Sequence, residues 1–420
     1  MMNVGFGQAC ITPPLGLPME GLGQIGGIER IHDDLFARVL WFEQDDRQLV
    51  ILSLDLLFFE RTVTDRLRGA VARLFDLKLN EVLLNFTHTH AGPRCSEWHY
   101  SGKVDPVYLD KVEQGILVAV GAAAQSREPV ECWAGATTTD LPVSRRCVNA
   151  AGHAEWLPNP AAEVCRHLPV AIFKTPAGAV KAVVFSAACH PSMIYTLDVS
   201  AEWPGVAVRR LNEHFQTSGS VFLQGAAGDT KPRQVADSDK WRPGTWEEME
   251  AAGREIADAV IRAPLQQIEP DLRIVTEETF WPLGALPTRT ELQTVADKPD
   301  RRAWAVDMLR RLELFGRLPD AVPMTFHGVQ LGKGLRLIAL ECEMVGELGN
   351  LIRRESPAGV TFPLGYTNGC AIYLPSDRQL PEHGYEVDSF WEYHWPAPLA
   401  PGINDRLRGL VRGLMEKGIT

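Results

Sequence analysis

Apolar residues fall in short runs along most of the chain, broken by polar turn residues, and the runs follow one order three times. In "ARVLWFEQDDRQLVILSLDLLFF" two strand-like runs flank an Asp-Asp turn, which predicts a hairpin. "TVTDRLRGAVARLFDL" then spaces its apolar residues at helical intervals, and "EVLLNFTHTH" is a third strand. The order returns at 169–229. There "PVAIFKTPAGAVKAVVFSAACHP" predicts a hairpin turning at Ala-Gly-Ala, "PGVAVRRLNEHF" a helix and "SVFLQGAAGD" a buried strand. It returns once more at 323–375, with a hairpin turning at Gly-Lys-Gly, a short helix in "LGNLIRRE" and a last strand in "GVTFPLGYTNGCAIYLP". Between these units, "TWEEMEAAGREIADAVIRA" opens on the capping-box pair Thr245 and Glu248 and predicts an amphipathic helix. Residues 288–316 form a charged helical excursion. "INDRLRGLVRGLMEKG" closes the chain with Leu407, Leu410, Val411 and Leu414 on one apolar face. The predicted fold class is α/β: mixed β-sheets flanked by helices, hairpin-rich, with repeated strand-strand-helix-strand units. With no low-complexity segment and no obvious linker, residues 1–420 read as a single domain.

The reactive side chains sit where these apolar runs end. In the first unit Asp55 ends the second strand and His88 and His90 end the third. In the second unit these places fall to His190 and Asp229. In the third, Glu347 ends the second strand, with Tyr366 and Tyr373 in or after the third. Loops at strand ends are where α/β sheets gather ligands and catalytic groups, because these loops carry no packing duty. In "THTHAGP" two histidines two apart on a strand share a face, which suits a metal pair or a catalytic pair. The same pair also suits a strand end whose histidines cap it and hydrogen-bond a neighbouring loop.

Composition narrows the classes. The chain of 420 residues is 45% hydrophobic and 23% charged, ordinary for a globular protein that buries a substantial core. Its formal charge of -11 argues against nucleic acid and against an anionic membrane surface. No segment approaches a membrane span, and the N-terminus lacks a secretory pattern, so no stable membrane association is expected. Eight scattered cysteines without a Cys-x-x-Cys pair fit reduced thiols, which makes the expected location cytoplasmic.

Taken together, the motifs "VGFGQACITPPLGLPMEG", "IHDDLFARVL", "LSLD", "THTHAGP", "SRR", "ACHPSMI", "QGAAGD", "VGELGNLIRR" and "NGCAIYLP" resemble the neutral/alkaline, non-lysosomal ceramidase family, in order and over nearly the whole chain. The resemblance implies that family's mixed α/β catalytic domain with one Zn²⁺. It assigns the metal to His88, His190, Glu347 and Tyr373, and the substrate or its hydrogen-bond shell to His90, Arg145 and Tyr385. Arg146 is the alternative match for Arg145, and Tyr385 follows Tyr373 at the family's interval of twelve. Two imidazoles and a carboxylate are the ligand set of open catalytic zinc sites. Such a zinc lowers the pKa of its water to about 7. The implied protein is a zinc-dependent hydrolase whose zinc-activated hydroxide attacks an amide or related acyl bond. Whether Tyr373 stays bound to the metal is left open. Asp229 and Asp55 are expected to orient histidines or to cap a helix or turn.

The chain also departs from the family. Arg94 and Cys95 stand where small glycines usually follow the His-Thr-His motif, and Lys231 and Arg233 make "GDTKPR" more basic. Secreted members carry an immunoglobulin-like C-terminal domain, for which this sequence leaves no room. The expected substrate is therefore a small polar molecule, with true ceramide N-deacylation or lactone and ester hydrolysis as alternatives. The cluster "FWEYHWP" is the one segment suited to a lipid-facing lip. A barrel amidohydrolase also uses a His-x-His strand, but there the pair opens the first strand, whereas here it follows two strands and a helix. A non-catalytic binding relative would be expected to have lost one of the ligands, and all are present. Sequence leaves the oligomeric state open.

Overall fold

The computed structural model describes residues 1–21, 26–96 and 103–420. Its strands form three four-stranded leaves that share one connection order. The first leaf runs Met2–Cys10, Phe36–Gln44, Arg47–Leu54, Val82–Phe86. The second runs Glu128–Thr138, His167–Lys174, Val180–Ala187, Ser220–Gln224, with Leu265–Ile268 added alongside Glu128–Thr138. The third runs Pro270–Pro282, Ala321–Gly332, Leu335–Leu340, Val360–Leu364. In each leaf the first three strands are antiparallel. A helix (Arg61–Phe75, Glu202–Phe215 or Gly346–Glu355) then returns the chain to a parallel fourth strand. The first two leaves join where Met2–Val4 pairs with Glu128–Val130.

Strand periodicity explains why these runs are apolar almost throughout. Val39 and Trp41 face the helices while Leu40 and Phe42 face inward. Val170 and Ile172 face out against Ala171 and Phe173, and Ile338 and Leu340 against Leu337 and Ala339. The inward residues of all three leaves form one shared core, and each outer face has its own. The outer cores are closed by Arg61–Phe75 with Pro106–Gln125, by Glu202–Phe215 with Trp246–Ile261, and by Gly346–Glu355 with Ile403–Glu416. Strands buried on both faces lose the alternation that marks a half-exposed sheet.

The three predicted hairpins and their return helices are present, and Thr245 and Glu248 form the capping box. Residues 288–316 hold two helices, Arg289–Ala296 and Arg302–Phe315. Among the described residues no sheet closes into a barrel, which sets aside the barrel amidohydrolase. The opening strand of each leaf and the helix Pro106–Gln125 have no counterpart in the repeated pattern read from sequence.

Candidate metal centre

The carboxyl ends of the three parallel pairs converge, and Asn85 ties them together. Its Oδ1 accepts from Gln224 N at 2.8 Å and its Nδ2 donates to Gly365 O at 2.9 Å, so one side chain bridges the fourth strands of all three leaves. Just beyond these ends lie His88, His90, His190, Glu343 and Tyr366. The strand expected to carry the two histidines stops at Phe86. His88 turns into the left-handed region with φ 65°, so strand alternation is not what aligns His88 with His90. The loop brings their rings to 4.8 Å, and His190 lies 4.9 Å from His88 and 5.3 Å from His90.

Each imidazole is fixed by a backbone carbonyl. His88 Nδ1 donates to Leu57 O at 3.0 Å, His90 Nδ1 to Gly21 O at 2.7 Å, and His190 Nδ1 to Ala227 O at 2.7 Å. A carbonyl only accepts, so each Nδ1 carries the proton and each neutral ring presents a lone pair at Nε2. Nε2 of His88 and His190 lie 3.3 and 3.4 Å from the same atom, Glu343 Oε2. Three acceptors facing one another in a buried space is an arrangement that a cation resolves. Nε2 of His88 and of His190 are both buried and lack a hydrogen bond within the protein. The donor set therefore fits a metal ion, and the three histidines alone place their ligand atoms within 4.8 Å of one another. Burial lowers His190 to about 4, and burial, with the neighbouring His88 and His190, holds His90 well below the usual histidine range. Burial would raise Glu343, and positive charge at the facing His88 and His190, a proton or an ion, is what holds the carboxyl well below its ordinary value.

Phenols enclose the carboxylate. Tyr393 donates to Glu343 Oε1 at 2.6 Å and Tyr366 to Oε2 at 3.3 Å, and Tyr373 packs its ring 5.8 Å from that of Tyr393. Arg145 donates to the Tyr373 hydroxyl at 3.0 Å and to Glu386 at 2.7 Å. Its guanidinium stacks 4.0 Å from the centroid of Trp156. Arg146 also binds Glu386, but its other contacts are Glu382 and the His383 carbonyl, so Arg145 is the arginine turned toward Tyr373. Burial would raise Glu386, yet the two arginines hold it below the ordinary range. Tyr385 packs its ring 5.4 Å from Tyr373 and 5.3 Å from Trp156, and donates to Glu392 at 2.7 Å. Trp156 and Tyr385 are 42% and 36% exposed, so this aromatic wall runs from the surface to the buried cluster.

Among the residues expected at the site, His88, His90, His190, Tyr373, Arg145 and Tyr385 come together. Glu347 does not join the histidines: it lies in the helix Gly346–Glu355, bonded to Ser376 and Arg378. Glu343, four residues earlier, stands among them. The acidic spacing in "ECEMVGE" was the available signal, and the resemblance selected the later glutamate. Asp55 binds Arg38 and Phe36 N, and Asp229 binds Gly346 N and Gln379. Carbonyls take the histidine-orienting role instead. Of the basic residues, Arg233 pairs with Glu255 at the surface, whereas Lys231 is buried with Nζ 2.7 Å from the Tyr195 hydroxyl. Tyr366 was placed among the strand-end residues without a role, and Tyr393 and Glu386 were not singled out.

Neither known protein-family models nor curated proteins match this sequence. Solved structures do. The chain is similar to the neutral ceramidase from Pseudomonas aeruginosa, at TM-score 0.75 and 16% identity, covering 99% of this chain and 75% of that one. A second structure, described as ceramidase complexed with C2, gives TM-score 0.76 and 14% identity with the same coverage. The fold is neutral-ceramidase-like.

Proposed function

We propose that this chain, on its neutral-ceramidase-like fold, is a zinc-dependent hydrolase of amide or related acyl bonds. One observation carries the reading: two imidazole lone pairs, neither with a hydrogen bond within the protein, converge with a carboxylate on one buried point. His88, His190 and Glu343 would hold the ion, with Tyr373 as a fourth ligand when the phenol releases Arg145 or shares it. A zinc so held supplies Lewis acidity and lowers the pKa of water to about 7.

The protein's own groups do the rest. The lone pair at His90 Nε2 takes a proton from the attacking water and returns it to the leaving nitrogen or oxygen, a general base that becomes a general acid. Burial keeps that imidazole neutral and ready for the first half of this exchange. Arg145, already charged and fixed by Glu386, offers N–H donors toward the oxygen that gains charge. Tyr385 and Trp156 border the entry and orient the substrate.

We take the substrate to be small, polar and soluble, because the wall of the site is rich in arginine and lysine. Ceramide N-deacylation is the second reading, favoured by the fold's likeness and the exposed aromatic rim. No helix among the described residues is long and apolar enough to cross a membrane. The eight cysteines are free thiols, which supports a reducing, cytoplasmic setting. Metal analysis followed by a panel of amides, esters and lactones tests the proposal. Zinc-dependent turnover of one class, abolished in His88→Ala, is expected; a metal-free protein inert to the whole panel overturns it. A preference of about tenfold or more for long-chain over short polar N-acyl substrates in kcat/KM, about 1.4 kcal/mol, would establish the ceramidase reading instead.

A further inference from the structure

Lys231 is a buried amine that touches no carboxylate among the described residues. It sits in the strand Thr230–Pro232, which pairs with Pro142–Val148, the strand that carries Arg145. The preceding residue, Thr230, offers its carbonyl to His190 Nδ1 at 3.1 Å, so Lys231 follows directly on the support of the metal centre. The residue is 1% exposed. Its ammonium donates to the Tyr195 hydroxyl at 2.7 Å and lies 5.1 and 5.7 Å from the ring centroids of Tyr195 and Trp241. No carboxylate among the described residues pairs with it. Glu202, the acid whose charge it feels most, is committed to Met193 N and Ile194 N at 2.8 and 3.1 Å. Glu386 is shared by Arg145 and Arg146 and Glu343 faces the histidines, while Lys231 has no carboxylate in contact with it among the described residues.

We propose that the substrate of this site carries a carboxylate, received by the Lys231 ammonium together with the Tyr195 hydroxyl. The inference rests on the acyl-hydrolase reading for the reaction and adds to it the charge of the molecule that reacts. An ammonium removed from water needs a counter-charge, and aromatic faces supply only part of it. Since Tyr195 accepts from Lys231, its own O–H is left to donate to the second carboxylate oxygen. Burial, followed by the repulsion of Arg145, lowers Lys231 to about 7, and an arriving anion would favour its charged form.

The test compares N-butanoylglycine with N-butanoylglycinamide on the zinc-loaded protein and on Lys231→Met and Lys231→Arg. The native protein should favour the acid by about tenfold or more in kcat/KM, and Lys231→Met should erase most of that ratio while Lys231→Arg restores part of it. A native ratio near one, or an unchanged ratio in Lys231→Met, overturns the proposal. If the native protein cleaves neither compound, the hydrolase reading is what fails, and calorimetric titration with N-butanoylglycine decides this inference alone. Binding weakened about tenfold in Lys231→Met supports it, and equal or absent binding overturns it. Tyr195→Phe serves as the second variant should Lys231→Met not fold, with the same ratio as readout.

Discussion

At the scale of single residues, the centre is defined by which atoms have nowhere else to go. His88 and His190 have each spent Nδ1 on a carbonyl, so Nε2 is committed to whatever occupies the space before Glu343. Zinc content, measured by elemental analysis, should therefore fall about tenfold or more in His88→Ala, His190→Ala and Glu343→Gln. Glu347→Gln should keep its metal, and a loss there equal to that of Glu343→Gln would restore the later glutamate as ligand. His90 is a separate case, because it joins the histidine cluster without facing Glu343 at ion-pair distance. His90→Ala should retain zinc and lose roughly 10²–10⁴-fold in kcat, the usual worth of a positioned acid–base group. Zinc loss matching His88→Ala would make His90 a ligand. The histidines were legible in sequence because two short motifs, each at the end of an apolar run, carry them. Glu343 was not, because the chain leaves the strand Leu335–Leu340 irregularly before the helix starts at Gly346. Glu341 and Glu343 lie in that short stretch and Glu347 in the first turn of the helix, and no periodicity chooses among them.

Secondary-structure elements hold these residues by supporting one another across leaves. Asp229 belongs to the loop after Ser220–Gln224, yet its Oδ1 accepts from Gly346 N at 2.8 Å, at the start of the helix that follows Glu343. It satisfies one of the donors a helix leaves open at its first turn and sits where a negative charge is favoured. The same loop gives Ala227 O to His190 and lets Gly228 N donate to Met344 O at 2.8 Å. Asp229→Ala should then cost about 1–2 kcal/mol in urea unfolding, the worth of a lost helix cap, and also weaken zinc retention. A stability loss with unchanged zinc affinity would separate the cap from the centre. Hairpins and return helices were readable because turn residues and spacing mark them locally. The opening strand of each leaf was not, since its partners lie far along the chain and it carries no turn signal of its own.

Over the whole molecule, three leaves pack on one core, and buried histidines outside the centre couple that packing to pH. Burial lowers His167 to about 4 and His327 to about 3. His167 Nε2 donates to Thr361 O at 3.0 Å, linking the second leaf to the third, and His327 lies between Thr276 and Asn368. Both are neutral in folded and unfolded chains above about pH 6.5, and contribute no pH dependence there. As the pH falls below that value the unfolded chain takes up protons that the folded one refuses, so stability drops until about pH 3–4. Buried Glu202, Glu341 and Glu392, each raised to about 7, act in the opposite sense, so the histidine contribution, on the order of a few kcal/mol, is read in the metal-free protein by circular dichroism in urea as the difference between native and variant. His167→Gln, whose amide can still donate to Thr361 O, should show a shallower loss. No leaf contains the centre, however: its facing groups come from residues 88, 190 and 343 of a chain of 420. During synthesis the first two leaves, with all three histidines, leave the ribosome before Glu343 does. An ion that needs the carboxylate as well as the imidazoles would be selected late, once most of the polypeptide has been made.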